Sequence, residues 1–119
     1  MDRRGLGNFG EERAARYLRL HGYTILERNF RCRQGEIDII ARRLPYLVFV
    51  EVKLRKNADH GEAMEFVNAA KQQRIIQTAQ LWLSRNETEL QPRFDIIEVY
   101  APLGEKGPVR VVHRENAFY

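Results

Sequence analysis

The chain has 119 residues, 44% of them hydrophobic and 30% charged, with a net charge of +4, and this balance excludes intrinsic disorder as the default. The single cysteine, Cys32, excludes an internal disulfide and favours a reducing compartment, so we expect a cytoplasmic protein. No apolar run is long enough to span a membrane and the N-terminus leads into no apolar signal segment, so we expect neither a membrane partner nor a secretory leader.

The positive charge is concentrated in the first half of the chain. Residues 1–56 carry 13 Lys or Arg against 7 Asp or Glu, whereas residues 57–119 carry 7 against 9. A basic half that also contains a cluster of acids indicates a polyanion brought to a metal site, although a solvated basic surface explains the same numbers.

The hydrophobic periodicity predicts two helices and five strands. The helices are expected over residues 8–21 and 63–84, and the strands over 23–30, 36–42, 47–54, 93–100 and 109–113. Residues 43–46 and 55–61 are predicted loops, His60 in the second is expected to have no catalytic role, and residues 114–119 are expected to fray. The order helix, three strands, helix, two strands predicts one α/β domain over residues 1–119, a mixed β-sheet flanked by helices.

Two adjacent glutamates of the first helix have different surroundings. Glu11 shares a helical face with two alanines and Leu18, and this face is expected to pack on the sheet. Glu12 lies elsewhere, with Arg16 one turn later as its expected ion-pair partner. Two roles fit Glu11: it complements the helix dipole in the first turn, or it reaches a site below the helix.

Residues 35–53 place charges in two strands that are otherwise apolar. Alternation predicts that the second strand turns Ile37, Ile39 and Ala41 to one side and Glu36, Asp38 and Ile40 to the other. The same rule groups, on the third strand, Leu47, Phe49, Glu51 and Lys53 on one side and Val48, Val50, Val52 and Leu54 on the other. A buried charge is costly unless it is paired, hydrogen-bonded or bound to a metal, so these strands are a candidate site.

The length of the loop between these strands predicts which acids meet. A hairpin symmetric about residues 43–46 pairs Arg42 with Leu47 and, four residues along, Asp38 with Glu51. Side chains paired in this way have Cβ atoms about 5 Å apart. Two carboxylates that close repel each other unless a proton or a cation lies between them.

The acid pair suits a hard divalent cation. Asp38, Glu51 and the backbone carbonyl of Val52 supply three oxygen ligands of the kind that Mg²⁺ and Mn²⁺ prefer. Lys53 follows on the same face, where it is placed to orient a water or to stabilise a charged phosphate. Glu11 reaches the ion, directly or through water, if the first helix packs over this end of the sheet.

An ion-pair network is the alternative interpretation of these charges. It pairs Glu36 with Lys53 and Arg55 with Glu51, but it leaves Asp38 facing Glu51 in an apolar sheet. Buried ion pairs are also poor stabilisers. The metal site is therefore favoured, with Glu36 beside the ligands rather than on the ion.

Two charged residues lie on the later elements. Lys71 falls within the apolar stripe of the second helix, where it either extends its stem to solvent or points at the acids. Asp95 on the fourth strand is predicted to hold Arg93 or a backbone N–H, which is a structural role.

Motifs spread over about residues 7–100 carry a resemblance to a known family. They are Gly7-X-X-Gly10-Glu11, Gly22-Tyr23, Gly35-Glu-Ile-Asp38, Phe49-Val-Glu-Val-Lys53-Leu-Arg55, Lys71 and Arg93-Phe-Asp95. In this combination the chain resembles the YraN family of small bacterial proteins, which looks like a branch of the PD-(D/E)XK nuclease superfamily of restriction enzymes and archaeal Holliday junction resolvases. Ile37 stands where the superfamily pattern has Pro.

The resemblance implies a restriction-endonuclease-like α/β fold and a phosphodiesterase site that depends on Mg²⁺ or Mn²⁺. Carried over by position, the acid pair is Asp38 and Glu51, the lysine is Lys53 and the helical acid is Glu11.

Two classes of function remain open at this point. One is a metal-dependent endonuclease that hydrolyses DNA phosphodiester bonds, on branched or on recombination and repair intermediates; two cuts on opposed strands would require a homodimer. The other is a nucleic-acid-binding protein whose nuclease-like site is catalytically silent and which acts within a larger complex. The acid pair disfavours a purely structural scaffold. In both classes the phosphate contacts are expected from Arg31, Arg33, Arg42, Arg43, Arg55, Lys56 and Lys71.

Overall fold

The structure, a computed structural model, describes the backbone of residues 3–56 and 68–118, with side chains from residue 8 onwards. The elements are α1 (Arg3–Leu20), β1 (Thr24–Arg31), β2 (Glu36–Arg43), β3 (Tyr46–Arg55), α2 (Ala69–Arg85), β4 (Gln91–Tyr100) and β5 (Arg110–Arg114). The predicted order of helices and strands is confirmed, and it is compatible with a nuclease-like fold. His60 and the predicted helical residues 63–67 lie outside the described residues.

The five strands form one mixed sheet in the order β1-β2-β3-β4-β5. β3 and β4 run parallel, and every other neighbouring pair is antiparallel. The parallel pair needs a crossover, and α2 lies in that connection. The predicted mixed sheet is confirmed, and β5 lies at its edge. In the described part of the chain, neither helix has the length and hydropathy that a membrane span requires.

Each helix covers one face of the sheet with its own core. The core below α1 contains Ala14, Ala15, Leu18, Ile39, Ala41, Val48, Val50, Ile97 and Val99. The core below α2 contains Leu47, Phe49, Ile75, Ala79, Trp82, Phe94 and Ile96. The predicted faces of the third strand and the predicted packing of the first helix on the sheet are therefore confirmed. These two faces also fix the side to which each charged residue of the central strands points.

The second strand departs from the predicted alternation at its beginning. Ile39 packs in the α1 core, but Ile37 packs in the α2 core together with Ile40. The prediction that Ile37 and Ile39 share a face is therefore wrong. The strand changes phase between these two isoleucines, at Asp38.

The β2–β3 turn is tighter than predicted, but its register is the predicted one. Arg43 pairs with Tyr46 and Arg42 with Leu47, so only Leu44 and Pro45 form the connection. Arg43 adds one residue to β2 and Tyr46 adds one to β3. Because both strands lengthen equally, the pairing further along the hairpin is unchanged.

The ends of both helices have local chemical causes. Gly22 has φ +86°, and the N–H of Tyr23 donates to the Leu18 carbonyl at 2.9 Å, so this glycine terminates α1. α2 begins after Asn68, whose side chain accepts from the Lys71 N–H at 2.9 Å. An asparagine in this position satisfies one of the helix's unpaired donors.

The prediction that the C-terminal tail frays is wrong for the described residues. The Ala117 N–H donates to the Phe94 carbonyl at 2.7 Å. Phe118 is 7% exposed, and its ring stacks on Phe94 with centroids 5.3 Å apart. An aromatic side chain that buries this much apolar area outweighs the entropy that favours a loose end.

Candidate functional site

Asp38 lies where β2 separates from β3. The hairpin pairs extend from Arg43 with Tyr46 to Ile39 with Val50, and the ladder stops there. The N–H of Val52 donates instead to Asp38 Oδ2 at 2.7 Å, so a carboxylate replaces a backbone acceptor. Because the N–H and C=O of one extended residue point to the same side, the Val52 carbonyl faces the same gap. The predicted register thus holds up to Ile39, and beyond it Asp38 reaches β3 through its side chain.

The first strand is irregular at the same level. Asn29 of β1 and Asp38 of β2 both fall between successive pairs of the β1–β2 ladder. Asn29 has φ +55°, in the left-handed region that asparagine tolerates better than most residues. Consecutive side chains of a regular strand alternate between faces, yet Arg28 and Asn29 both reach Glu11. The backbone of β1 is therefore irregular at Asn29, directly opposite Asp38.

Glu11 faces the sheet, as predicted, and is 7% exposed. Its Oε1 accepts from Arg28 Nε at 2.7 Å and from Asn29 Nδ2 at 3.0 Å. Contact of Glu11 with a metal stays a prediction. The expected pair of Glu12 with Arg16 is replaced, because Arg28 Nη1 donates to Glu12 Oε1 at 2.6 Å. One arginine of β1 thus holds both glutamates.

Glu51 is the point where two lysines converge. It is 9% exposed, and its Oε1 lies 3.3 Å from Lys53 Nζ and 2.8 Å from Lys71 Nζ. Of the two roles left open for Lys71, the structure has the one in which it points at the acids. The alternative ion-pair network predicted that Glu36 pairs with Lys53. In the structure Glu36 pairs with Arg31, and Lys53 lies beside Glu51.

A small cavity opens beside Glu51. Its volume is about 140 Å³, and it is lined by Gly35, Glu36, Glu51, Lys71, Arg74 and Ile75. A Cβ on Gly35 would lie 3.2 Å from Thr78 Oγ1, so glycine lets the β1–β2 turn approach α2 closely. The cavity gives a small charged group direct access to the Glu51 carboxylate.

The electrostatics of the site leave negative charge on Asp38 poorly compensated. Burial raises the pKa of Asp38 to about 7, and the charges of Glu51, Glu36 and Glu11 act in the same direction, while the Val52 hydrogen bond opposes them. A carboxyl group titrating this far above its usual range indicates clustered like charges in a poorly solvated place.

The two lysines respond in opposite directions. Burial, together with the neighbouring Lys71, lowers the pKa of Lys53 although Glu51 opposes the change. For Lys71, burial acts to lower the pKa, but hydrogen bonding to Glu51 outweighs it and the pKa is raised. Lys71 is thus the firmer counter-ion of Glu51, and Lys53 is the lysine that gives up a proton more readily.

The donor set fits a cation that takes few protein ligands. Within residues 3–56 and 68–118, no group of three or more His, Cys, Asp or Glu side chains is arranged to hold a metal. Mg²⁺ is commonly bound by one or two carboxylates plus water and substrate phosphates. Asp38, Glu51 and the Val52 carbonyl match that pattern, and a cation there would relieve the repulsion that raises the Asp38 pKa.

The basic residues predicted to contact phosphate lie in three places, apart from Lys71 beside Glu51. Arg31 and Arg33 lie at the β1–β2 turn, at the same end of the sheet as Asp38. Arg42 and Arg43 lie at the other end of β2, about 13–17 Å away along the strand at ~3.3 Å per residue. Arg55 and Lys56 end β3 and line a separate cavity of about 310 Å³ with Phe9, Leu54, Ala101, Pro102 and Gly104. These seven predicted contacts therefore do not form one patch.

One buried acid was missed by the sequence reasoning. Glu98 is 0% exposed and is the register partner of Lys53 across the parallel β3–β4 pair. Its carboxylate accepts from Tyr100 Oη and from Arg114 Nε, both at 2.6 Å. The sequence could have revealed this buried acid, because Glu98 stands at a core position of an otherwise apolar strand.

Asp95 has the structural role that was predicted. It is fully buried and accepts from Arg93 Nε at 2.9 Å and from the Asn116 N–H at 3.0 Å. His113 Nε2 lies 2.6 Å from its other oxygen. This carboxylate therefore ties β4 to β5 and to the tail, on the α1 face of the sheet.

The chain is similar to a group of bacterial proteins named without an activity. A family model described as uncharacterised protein family UPF0102 matches residues 10–99. A UPF0102 protein of Caldanaerobacter subterraneus subsp. tengcongensis is 45% identical over 119 residues, 99% of this chain and 98% of that protein. One of Flavobacterium psychrophilum is 41% identical over 114 residues, 96% of this chain and 93% of its own length. One of Syntrophotalea carbinolica is 50% identical over 98 residues, covering 82% and 80%.

Proposed function

We propose that this chain, which belongs to the uncharacterised protein family UPF0102, is a metal-dependent endonuclease that hydrolyses DNA phosphodiester bonds, with branched or repair intermediates as its substrates. One observation carries the proposal: Asp38, whose pKa is raised to about 7 by burial and by Glu51, lies at a break in the sheet beside Glu51 and Lys53. Repulsion between buried carboxylates costs stability, and a bound divalent cation would relieve it.

The residues of the site have separate roles in this reaction. Asp38, Glu51 and the Val52 carbonyl would hold Mg²⁺ or Mn²⁺, which when bound neutralises phosphate charge and lowers the pKa of water. Lys53, with its lowered pKa, donates a hydrogen bond to a phosphate oxygen or to the attacking water. Lys71 balances the charge of Glu51 before substrate arrives and then contacts phosphate through the cavity beside it.

Glu11 supports this arrangement from the other face of the sheet. Arg28 and Asn29 fix its Oε1, and its charge adds to the field that raises the pKa of Asp38. It acts as a direct ligand or through a water, and Glu36, paired with Arg31, lies beside the ligands.

A second candidate function is nucleic-acid binding with a silent site, within a larger complex. The observation that favours it is the double engagement of Glu51 Oε1 by Lys53 and Lys71, which offers two ammonium groups where catalysis needs a metal. The basic first half of the chain serves either function.

A panel of DNA substrates separates the two functions. The protein is incubated with Mn²⁺ and labelled linear, nicked, flapped and four-way-junction DNA, beside Glu51→Gln and Lys53→Ala. We expect cleavage of a branched substrate by the unaltered protein and a loss of at least about a hundredfold in each variant. Cleavage that survives both substitutions belongs to another site or to a contaminant. Binding without any cleavage supports the silent-site function.

Two further parts of the proposal concern assembly and location. Paired cuts on opposed strands need two sites, so we propose a homodimer on DNA, which sedimentation with and without junction DNA would test. The single Cys32 suits a reducing compartment, so we place the activity in the cytoplasm.

A further inference from the structure

The β2–β3 turn exposes neighbouring apolar side chains directly after two arginines. Leu44 is 78% exposed and Tyr46 is 37% exposed, and Pro45 between them is exposed as well. Arg42 and Arg43 immediately precede these residues and are exposed too. Large apolar side chains that stand in solvent beside cations are typical of binding surfaces rather than of a neutral turn.

A polar cavity lined by two arginines, which we call the cradle, lies next to this turn. Its volume is about 270 Å³, and it is lined by Arg43, Leu44, Tyr46, Arg93 and Glu115. The Arg93 guanidinium lies over the Tyr46 ring, 4.8 Å from its centroid. Tyr46 keeps part of its surface exposed, so it combines an exposed aromatic ring with a fixed cation behind it.

The cradle already receives an anion from the chain itself. Glu115 Oε1 lies 3.7 Å from Arg93 Nη2 and 3.5 Å from Tyr23 Oη. The Glu115 side chain is 56% exposed, so its carboxylate is held loosely and can be displaced. Carboxylate and phosphate present the same kind of charged oxygen to a guanidinium.

We propose that the turn of residues 42–46 and the adjoining Arg93 form a second nucleic-acid contact, in which an unpaired base stacks on Leu44 and Tyr46. Its phosphate takes the place of the Glu115 carboxylate between Arg43 and Arg93. The inference rests on the proposed function for the class of its ligand. Leu44 is six residues from Asp38 along β2, about 20 Å at ~3.3 Å per residue, so the contact lies several nucleotides from the scissile bond.

This contact gives the protein a preference for strands with unpaired bases. A base inside a duplex is already stacked, whereas a base at a junction, flap or single strand can be received by an exposed apolar surface. In the proposed function the site at Asp38 and Glu51 contacts phosphate, which paired and unpaired strands have in common. The turn would thus be the part of the molecule that selects branched DNA.

Binding without metal tests the inference apart from catalysis. Fluorescence anisotropy with a labelled oligothymidine of about 20 nucleotides, in a chelator, reports binding alone. Leu44→Ser should weaken binding about threefold to tenfold, because the apolar contact with one base is lost, and Arg43→Gln about threefold to tenfold. Glu115→Gln should strengthen it about threefold, because a competing carboxylate is removed.

The chain offers a matched control for each variant. Leu103 is 75% exposed at another turn and serves as control for Leu44. Arg110 is exposed and lies over the Tyr100 ring at 4.7 Å, as Arg43 lies over the Tyr23 ring at 5.5 Å. Leu103→Ser and Arg110→Gln should bind as the unaltered protein does. Because the compared side chains are exposed, loss of the fold does not explain a selective effect.

The outcomes separate this inference from the proposed function. Equal affinities for the turn variants and their controls, or no oligonucleotide binding by the unaltered protein, overturn the contact even if the protein cleaves DNA. Equal weakening on a blunt duplex and on the single strand overturns the base-stacking step. The turn variants could bind the single strand selectively more weakly while the unaltered protein cleaves no DNA. This result supports the contact and contradicts only the proposed nuclease activity.

Discussion

Lys71 Nζ lies 2.8 Å from Glu51 Oε1, so a helix and the central strand of the sheet meet in one ion pair at the candidate site. The hydrogen bond from the Lys71 N–H to Asn68 fixes the first turn that carries this lysine. Lys71 thus neutralises the charge of Glu51, and it competes with a metal ion for the same carboxylate.

Removing this competitor should favour the metal. Lys71→Gln leaves Glu51 with Lys53 alone, and we expect Mn²⁺ to bind about twofold to fivefold more tightly, the worth of a partly exposed ion pair. Titration calorimetry without DNA measures the change. Arg74→Gln is the control, since Arg74 lines the same cavity. Weaker binding in the Lys71 variant would show that the lysine supports the metal site instead of occupying it.

Asp38 should lower the stability of the metal-free protein at alkaline pH. Its pKa is raised to about 7 in the folded state against ~3.9 in an unfolded chain, so the folded state binds the proton more tightly. The stability that comes from the protonated form is present in acid and is lost as the pH rises through 7. Asp38→Asn should therefore stabilise the protein by about 1–2 kcal/mol at pH 8.

Urea unfolding in a chelator at pH 5 and pH 8 checks this sign. The variant should gain much less at pH 5, where the unaltered carboxyl is already protonated. Asparagine keeps an acceptor for the Val52 N–H, so the comparison isolates the charge. An Asp38→Asn protein less stable at pH 8 would contradict the account of a repulsive acid pair.

Asp95 should show the opposite behaviour. Burial acts to raise its pKa, but hydrogen bonds from His113, Arg93 and Asn116 outweigh it and lower the pKa. Its contribution is present above the ordinary Asp pKa and is lost as the pH falls through the lowered folded value. Asp95→Asn should cost about 3 kcal/mol at pH 7, with a smaller cost at pH 3. A cost that does not change with pH would rule out the charge as its source.

The start of α2 should depend on one side chain. Asn68→Ala removes the acceptor for the Lys71 N–H and should cost about 1 kcal/mol in urea unfolding. Asn68→Ser keeps an N-cap oxygen and should recover most of that loss. Equal losses in both variants would mean that the cap does not hold the turn that carries Lys71.

Much of the site was predictable because alternation is a strict property of paired strands. β3 is buried on both faces and keeps its period, so Glu51 and Lys53 lie on the side that the sequence indicates. The loop length determined the hairpin register, since equal lengthening of both strands leaves the pairs unchanged. Glu11 faces the sheet because the alanines beside it permit close packing.

The rest depends on interactions between residues far apart in the chain. Asn29 takes a left-handed conformation opposite Asp38, and no residue near Asp38 in the sequence indicates it. The tail folds back because Phe94, 24 residues earlier in the sequence, offers a ring on which Phe118 stacks. The partner of Glu12 is Arg28 on a strand, not its helical neighbour. Local rules describe one element at a time and cannot find such partners.

Titration of the protein with Mn²⁺ tests most directly whether the two acids form a metal site. Calorimetry should show a dissociation constant in the micromolar to millimolar range for the unaltered protein. Asp38→Asn, which keeps the shape of the side chain and removes its charge, should abolish most of the heat. Equal heats for the two proteins would contradict the claim that Asp38 and Glu51 bind a divalent cation.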